Sequence, residues 1–227
     1  MTATEHLEAL RRALAISFLA WLLGTVLAFF FWSPVLHFLV VRGGVTHLYF
    51  QAPTGAFVLA LKIALYLGFV IAAPVIMQQA WWFVSPGLHP HERRYVLPLL
   101  LATIFFFVVG IAFALFSLPL FLHILTGFAP GNLQYLPFVD DYLSFVLVLI
   151  LGFGLVFELP VVVFVLGLVG VLSSRRLRDK RFYWVAGLLI IAYLATPGAD
   201  PITPLFMFVP LYLFWEGTVL LLKLTGR

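Results

Sequence analysis

The chain alternates between long apolar runs and short polar segments. Six apolar stretches occur at about 13–34, 56–79, 95–122, 142–172, 182–195 and 204–224, and the segments between them are rich in Gly, Pro, His and charge. Most of these stretches exceed the ~18 residues with which a helix crosses a bilayer. The pattern predicts an all-α polytopic membrane protein of one domain, residues 1–227, with six transmembrane helices of unequal length.

The fifth stretch is the shortest. Its roughly 14 residues rise only ~21 Å, whereas the hydrocarbon core is ~30 Å thick. We therefore expect either that the bilayer is thinner around this helix or that the turn after it lies below the membrane surface. The outer loops, at about 35–55 and 123–141, contain apolar residues, so we expect them to fold back as short interfacial caps.

Basic residues are concentrated on one side of the predicted spans. Eleven of the thirteen Lys and Arg residues lie on that side, Arg42 alone lies on the other, and Lys62 falls inside the second stretch, from which it can extend outward. The positive-inside rule then predicts that both termini are cytoplasmic. The first apolar run lacks a small-residue cleavage pattern, so no removable signal peptide is expected.

Composition narrows the function classes. The chain is 64% hydrophobic and 10% charged and has no Cys, which argues against a soluble domain, a disulfide or a thiolate metal site. Its net charge of +4 does not indicate nucleic-acid binding, because the basic residues form short clusters between apolar runs. No serine-hydrolase, zinc-protease or nucleotide-binding motif occurs, so neither enzyme activity nor a cofactor is expected.

Histidines offer two further alternatives. His89 and His91 lie two residues apart in a loop, but without a third ligand they are interpreted as surface residues, not a metal site. His37 and His123 both fall near outer helix ends, where they could in principle hold a haem. A haem-binding membrane anchor is thus a minor alternative.

Acidic residues within the apolar stretches are candidates for function. Glu158 falls near the middle of the fourth stretch, where a charge costs about 2.5 to 3.5 kcal/mol. Pro160 cannot donate to the carbonyl of Val156 and predicts a kink beside the acid. Glu158 is therefore either a polar pin at a kink or a site for a polar partner. Glu216, about twelve residues into the last stretch, is predicted to be a second deep acid, and Gln79 to be an intramembrane polar residue.

The cytoplasmic segment 81–94 combines aromatic and charged residues. Trp81 and Trp82 are typical of interfacial anchors, and Arg93 and Arg94 are explained by the positive-inside rule. The positive-inside rule does not explain Glu92, because that rule concerns Lys and Arg. It is either the ion-pair partner of the arginines or a receptor for an external guanidinium, which carboxylates bind bidentately.

Five segments together resemble one family, the TatC proteins of the twin-arginine protein translocase. They are residues 6–11, residues 74–83, the sequence HERR at 91–94, residues 142–160 with FGLVFELP at their end, and residues 196–216. The resemblance implies a concave, glove-like bundle in the cell inner membrane. It also implies a receptor that binds the twin-arginine signal peptides of folded cargo at the cytoplasmic face and takes part in export driven by the protonmotive force.

The resemblance also implies partners and site residues. The partners are the single-span proteins TatA and TatB, docking at the fifth and sixth spans, together with signal peptides, further copies of the chain and the lipid bilayer. The residues expected to contact signal peptide are Glu92, Phe83, Arg93, Arg94, Arg11 and Glu8. Those expected at the docking region are Thr196, Pro197, Asp200, Thr203, Pro204 and Met207.

The chain departs from the family pattern near its N-terminus. Ala9 stands where the family has an acid that contacts signal peptide, and Ala13 where a basic residue is usual. Glu8 comes one position before the family's acid, so on a helix its side chain would be turned about 100° away from that position. Either Glu8 or Glu5 compensates, or signal peptide binds less tightly, or the sequence was altered for study. A proton-coupled solute transporter that uses Glu158 and Glu216 is the competing functional hypothesis.

Overall fold

The computed structural model describes residues 3–50, 52–87, 93–128, 136–197 and 200–224. Within these ranges the chain is helical, which confirms the predicted class. The helices are α1 (Ala3–Phe29), α2 (Trp32–Gly43), α3 (Gly55–Val84), α4 (Val96–Gly127), α5 (Val139–Val156), α6 (Leu159–Leu168), α7 (Ser174–Asp179), α8 (Arg181–Ala195) and α9 (Ile202–Leu224), with single 3₁₀ turns at Ser85–Gly87 and Arg93–Tyr95.

Five helical segments in the described part of the chain are long and apolar enough to cross a membrane. They are α1, α3, α4, the continuous stretch of α5 and α6, and α9. Helix α8 has 15 residues, which agrees with the short fifth stretch of the sequence. Since α8 falls below membrane-spanning length, the count of six spans stays a prediction.

Several helix ends differ from the predicted boundaries. The first predicted stretch is 13–34, whereas α1 begins at Ala3 and ends at Phe29. Residues 3–12 are polar but consist largely of good helix formers, so the helix continues beyond the apolar run. Pro34 disfavours a continuous helix through this region, and the break before Trp32 places it in the first turn of α2.

Close backbone contacts position the long helices. Helix α1 crosses α3 where Gly24 faces Gly68, and a Cβ atom on Gly68 would lie 2.5 Å from the Thr25 nitrogen. Helix α4 crosses α5 in the same way, because a Cβ atom on Gly110 would lie 2.5 Å from the Phe153 carbonyl oxygen. Small residues at such crossings let membrane helices pack with their backbones in contact.

The end of the bundle that bears Arg42 is called the outer end, and the end that bears most basic residues the basic end. At the outer end α2 and the segment after it fold back over the bundle, as expected for the first outer loop. The Tyr142 hydroxyl donates to the Leu39 carbonyl at 2.7 Å. A parallel bridge joins Tyr49 to Phe138, with the Tyr49 N–H 3.1 Å from the Pro137 oxygen.

Both cations near the outer end have specific partners. Arg42 Nε donates to the Leu115 carbonyl at 2.9 Å. That carbonyl is the one Pro119, four residues later, cannot satisfy. Lys62 does not simply extend outward, because its Nζ lies 2.6 Å from Asp140 Oδ1 and 2.9 Å from the Ser144 hydroxyl.

Candidate functional site

A polar groove of about 420 Å³ lies at the basic end between α1 and α3. We call it the inner groove. The residues on α1 recur at spacings of one, three and four, which places them on one helix face. The inner groove is lined by Glu5, Glu8, Ala9, Arg12, Ala13 and Ile16 from α1 and by Gln79, Trp82 and Phe83 from α3.

Aromatic packing fixes the two helix ends that form the inner groove. The rings of His6 and Phe83 have centroids 4.4 Å apart and are tilted by 31°. Gln79 is buried, with 6% of its surface exposed. It was predicted to be an intramembrane polar residue, and the structure places it in the wall of the inner groove.

The structure brings together some of the expected signal-peptide residues and separates others. Glu8 and Phe83 share the inner groove, whereas Arg11 does not line it and Arg12 takes that place. One residue turns a helix by about 100°, so Arg11 points to another face. Arg94 lies outside the groove, where it donates to the Tyr95 hydroxyl at 2.7 Å. Glu92 and the side chain of Arg93 lie outside the described residues.

The departures at positions 9 and 13 fall in the inner groove itself. Ala9 and Ala13 are half-buried there, so their small side chains leave room between the groove's charged groups. Glu5 and Glu8 line the same groove as Ala9 despite the rotation expected for Glu8. Compensation by one of these acids for the missing one stays a prediction.

Glu158 lies in the turn between α5 and α6. The Phe157 and Glu158 N–H groups donate to the carbonyls of Phe153 and Leu155 at 3.0 and 3.1 Å. Helix α5 ends at Val156, and α6 begins with Pro160 in its first turn. The predicted interruption at Pro160 is therefore confirmed, as a break between two helices.

Glu158 opens onto an apolar cavity of about 420 Å³ between α3, α4 and the α5–α6 break, which we call the acid cavity. Its Oε1 atom is buried and makes no hydrogen bond within the described part of the chain. A buried oxygen without a hydrogen bond costs free energy, so a hydrogen-bond donor that entered the cavity would be stabilised there. The acid cavity is lined by Phe69, Ala73, Ile76, Met77, Ala80, Trp81, Val84, Thr103, Phe107, Leu155, Glu158, Val161, Val162, Val165 and Leu166.

The structure gives the surroundings of Trp81, Trp82 and Glu216, and it contradicts the prediction for Trp81. Trp81 is not an interfacial anchor, because it is 8% exposed and its Nε1 donates to the Thr103 hydroxyl at 3.0 Å. Trp82 is exposed, as an anchor requires. Glu216 lies eight residues before the end of α9 and accepts hydrogen bonds from Arg181 and Tyr212, so this acid is paired, while its depth in the membrane stays a prediction.

Most of the residues expected at the docking region are buried inside the chain. Asp200 caps α9, because its Oδ1 accepts from the Ile202 and Thr203 N–H groups at 2.9 and 2.7 Å. Pro197 is half-buried. A partner helix in this region would have to contact exposed neighbours, such as Leu194 and Val209. The buried residues are Thr196, Thr203, Pro204 and Met207.

The histidine alternatives gain little support. His123 shares an outer-end cavity with His47, but His37 does not line that cavity, so the pair suggested for a haem is not brought together there. Among the described residues no group of three or more potential metal ligands forms. His89 and His91 lie outside those residues.

Comparison with known proteins shows which family this chain is similar to. Residues 5–210 match the family described as Sec-independent protein translocase protein (TatC). The chain belongs to the TatC family. It is accordingly a component of a Sec-independent protein translocase, and its apolar helices make it a membrane protein.

Similar TatC proteins cover the whole chain. The TatC protein of Aquifex aeolicus is 39% identical over 100% of this chain and 97% of its own length. The chloroplastic protein of Arabidopsis thaliana is 36% identical over 100% of this chain and 68% of its own length. A crystal structure described as the twin arginine translocase receptor TatC superposes with a TM-score of 0.82 at 38% identity, over 98% of this chain and all of that one.

Proposed function

We propose that this chain is the receptor component of a twin-arginine translocase, not an enzyme. In this proposal it binds the twin-arginine signal peptides of folded cargo at the cytoplasmic face of the inner membrane. It then recruits single-span partners of the TatA and TatB type for export driven by the protonmotive force. The observation that carries the proposal is the inner groove, which combines two carboxylates with an aromatic ring at the basic end.

The chemistry of the inner groove suits an arginine pair. Guanidinium groups bind carboxylates bidentately and stack on aromatic faces, and Glu5, Glu8 and Phe83 offer both contacts. Glu92 follows Phe83 by nine residues in the chain and would supply a further carboxylate. The crystal structure matched above is described as a twin arginine translocase receptor, which agrees with this use of the groove.

The competing transporter hypothesis requires both Glu158 and Glu216 as proton sites, and the contacts of Glu216 argue against it. Glu216 is paired with Arg181 and Tyr212, so it is not available as an isolated proton site along a pathway. Glu158 remains, and in the receptor proposal its unsatisfied oxygen would meet a polar group of signal peptide or partner inside the acid cavity. Partner helices would dock on the exposed apolar face of α8 and α9.

Photocrosslinking from the inner groove tests the proposal. A photoreactive residue at Ile16 should crosslink a twin-arginine peptide and not its twin-lysine counterpart, because only the guanidinium binds bidentately. We expect Glu92→Gln and Glu8→Gln each to lower the yield several-fold, and Ala9→Glu to raise it by adding a charge-assisted contact. Asp141→Asn, which alters an exposed acid at the outer end, is the matched control.

The proposed site is wrong if Glu92→Gln, Glu8→Gln and the Asp141→Asn control all give the same crosslinking yield as the wild-type chain. Export in cells that lack their own TatC protein provides the functional readout. The wild-type chain and the Ala9→Glu variant should both restore export of a twin-arginine substrate. Solute flux by the purified chain alone would instead support the transporter hypothesis.

A further inference from the structure

A second, distinct groove of about 370 Å³ runs between α4, α6 and α9. We call it the α4–α9 groove. It lies beside the acid cavity, and Val161 contributes to both. The groove is lined by Tyr95, Pro98, Leu99, Ala102, Phe106, Pro160, Val161, Phe164, Leu213, Phe214, Gly217, Thr218 and Leu221.

Gly217 on α9 contributes no side chain to the groove. Gly217 lies one turn from Leu213 and one turn from Leu221, on the same stripe of the helix. Both leucines are exposed, at 63% and 53%. A Cβ atom placed on Gly217 would meet no atom within 4 Å. The stripe therefore has a gap between two apolar walls.

The depth of the groove matches one leaflet of a bilayer. It extends from Tyr95, the residue before α4, to Phe106 on α4, eleven residues that rise about 16 Å. Half of a ~30 Å hydrocarbon core is about the same distance. The walls are almost entirely apolar along this length, so the groove provides a surface suited to a single extended hydrocarbon chain.

A cation lies beside Tyr95, one of the residues that line the groove. Arg94 donates to the Tyr95 hydroxyl at 2.7 Å, and its Cζ lies 4.8 Å from the centre of the Tyr95 ring. The guanidinium is exposed and uses one of its nitrogens in this contact, which leaves further donors for an anion. Phosphate is a preferred ligand of such a guanidinium.

We propose that the α4–α9 groove binds an anionic phospholipid of the leaflet at the basic end. One acyl chain lies over Gly217 between Leu213 and Leu221, and the head-group phosphate contacts Arg94 beside Tyr95. The apolar walls of leaflet length and the guanidinium beside Tyr95 favour this occupant over a partner's transmembrane helix. This lipid site goes beyond the proposed receptor function and does not depend on it.

Native mass spectrometry of the purified full chain tests the site. The probes are phosphatidylglycerol, which is anionic, and phosphatidylcholine with the same acyl chains. Gly217→Leu should fill the gap and lower phosphatidylglycerol retention about tenfold. Gly187→Leu is the matched control, because a Cβ atom on that α8 glycine also meets nothing within 4 Å but lies outside the groove.

A second variant keeps the test decisive if Gly217→Leu folds poorly. Arg94→Gln leaves the groove intact, so it should abolish the preference for phosphatidylglycerol while both lipids still bind. Equal retention by Gly217→Leu and Gly187→Leu overturns the groove as the site. A wild-type chain that retains both lipids equally overturns the anionic head group, and crosslinking of Gly217→Cys to a partner helix in native membranes overturns the lipid as occupant.

Discussion

At the scale of single residues, Arg42 supplies a hydrogen bond that the backbone of α4 lacks. Pro119 has no N–H, so the Leu115 carbonyl one turn earlier lacks its helical donor. Arg42 Nε supplies a donor at 2.9 Å from a residue 73 positions away in the chain. In a membrane protein a carbonyl without a partner is expensive, so this contact ties α2 to α4.

We expect Arg42→Ala to lower the free energy of unfolding by about 1 to 3 kcal/mol, because the Leu115 carbonyl loses its donor. Pro119→Ala restores an N–H to α4 and should remove most of that penalty. Thermal unfolding in detergent of both single variants and the double variant gives the coupling between the two positions. Additive effects of the two substitutions would show that Arg42 does not act on this carbonyl.

Residue partners were the part of the molecule that sequence could not provide. The interruption at Glu158 followed from Pro160, because a missing N–H acts within four residues. The ion pair of Glu216 could not be predicted in the same way, because Arg181 is 35 positions distant. Trp81 was misplaced for the same reason, since its hydroxyl partner Thr103 lies on another helix.

At the scale of helices, the crossing of α1 and α3 determines the inner groove. Both helices carry groove residues at their basic ends, and they meet closely at Gly24 and Gly68. The pattern of apolar runs predicted neither this crossing nor the extra turns at the start of α1. It did predict the existence of the long helices and the shortness of α8, because those depend on run length alone.

Gly68→Ala should destabilise the chain by about 1 to 3 kcal/mol, because its Cβ would lie 2.5 Å from the Thr25 backbone, which cannot move aside cheaply. Gly187→Ala is the matched control, and it should be neutral or stabilising by up to about 1 kcal/mol through helix propensity. The measurement is thermal unfolding in detergent. If Gly68→Ala is as stable as the Gly187→Ala control, the close crossing of α1 and α3 is incorrect.

At the scale of the whole molecule, the arrangement across the membrane depends on α8. A six-span chain requires this 15-residue helix to cross, with the α8–α9 turn at the outer end. Asp200 caps α9 at that turn and Arg181 pairs with Glu216 at the other end of α8. The Asp200 contact lies within the turn and the first residues of α9, so it is the Arg181–Glu216 pair that joins α8 to α9.

Single-cysteine labelling tests the topology directly, because the chain has no cysteine of its own. With a membrane-impermeant maleimide, Pro201→Cys and Asp141→Cys should label in intact cells, and Arg175→Cys only after permeabilisation. Asp141 and Arg175 serve as references for the two ends. If Pro201→Cys labels like Arg175→Cys, α8 does not cross and the six-span topology is wrong.

The length of α8 has a consequence for how copies of the chain distribute in the bilayer. Its 15 residues rise about 22 Å, several ångströms less than the ~30 Å core, and each ångström of mismatch costs a fraction of a kcal/mol. A crossing α8 therefore surrounds itself with compressed lipid. If α8 crosses, we expect two chains whose α8 helices face each other to share that lipid, which lowers the elastic energy of the membrane and favours their association.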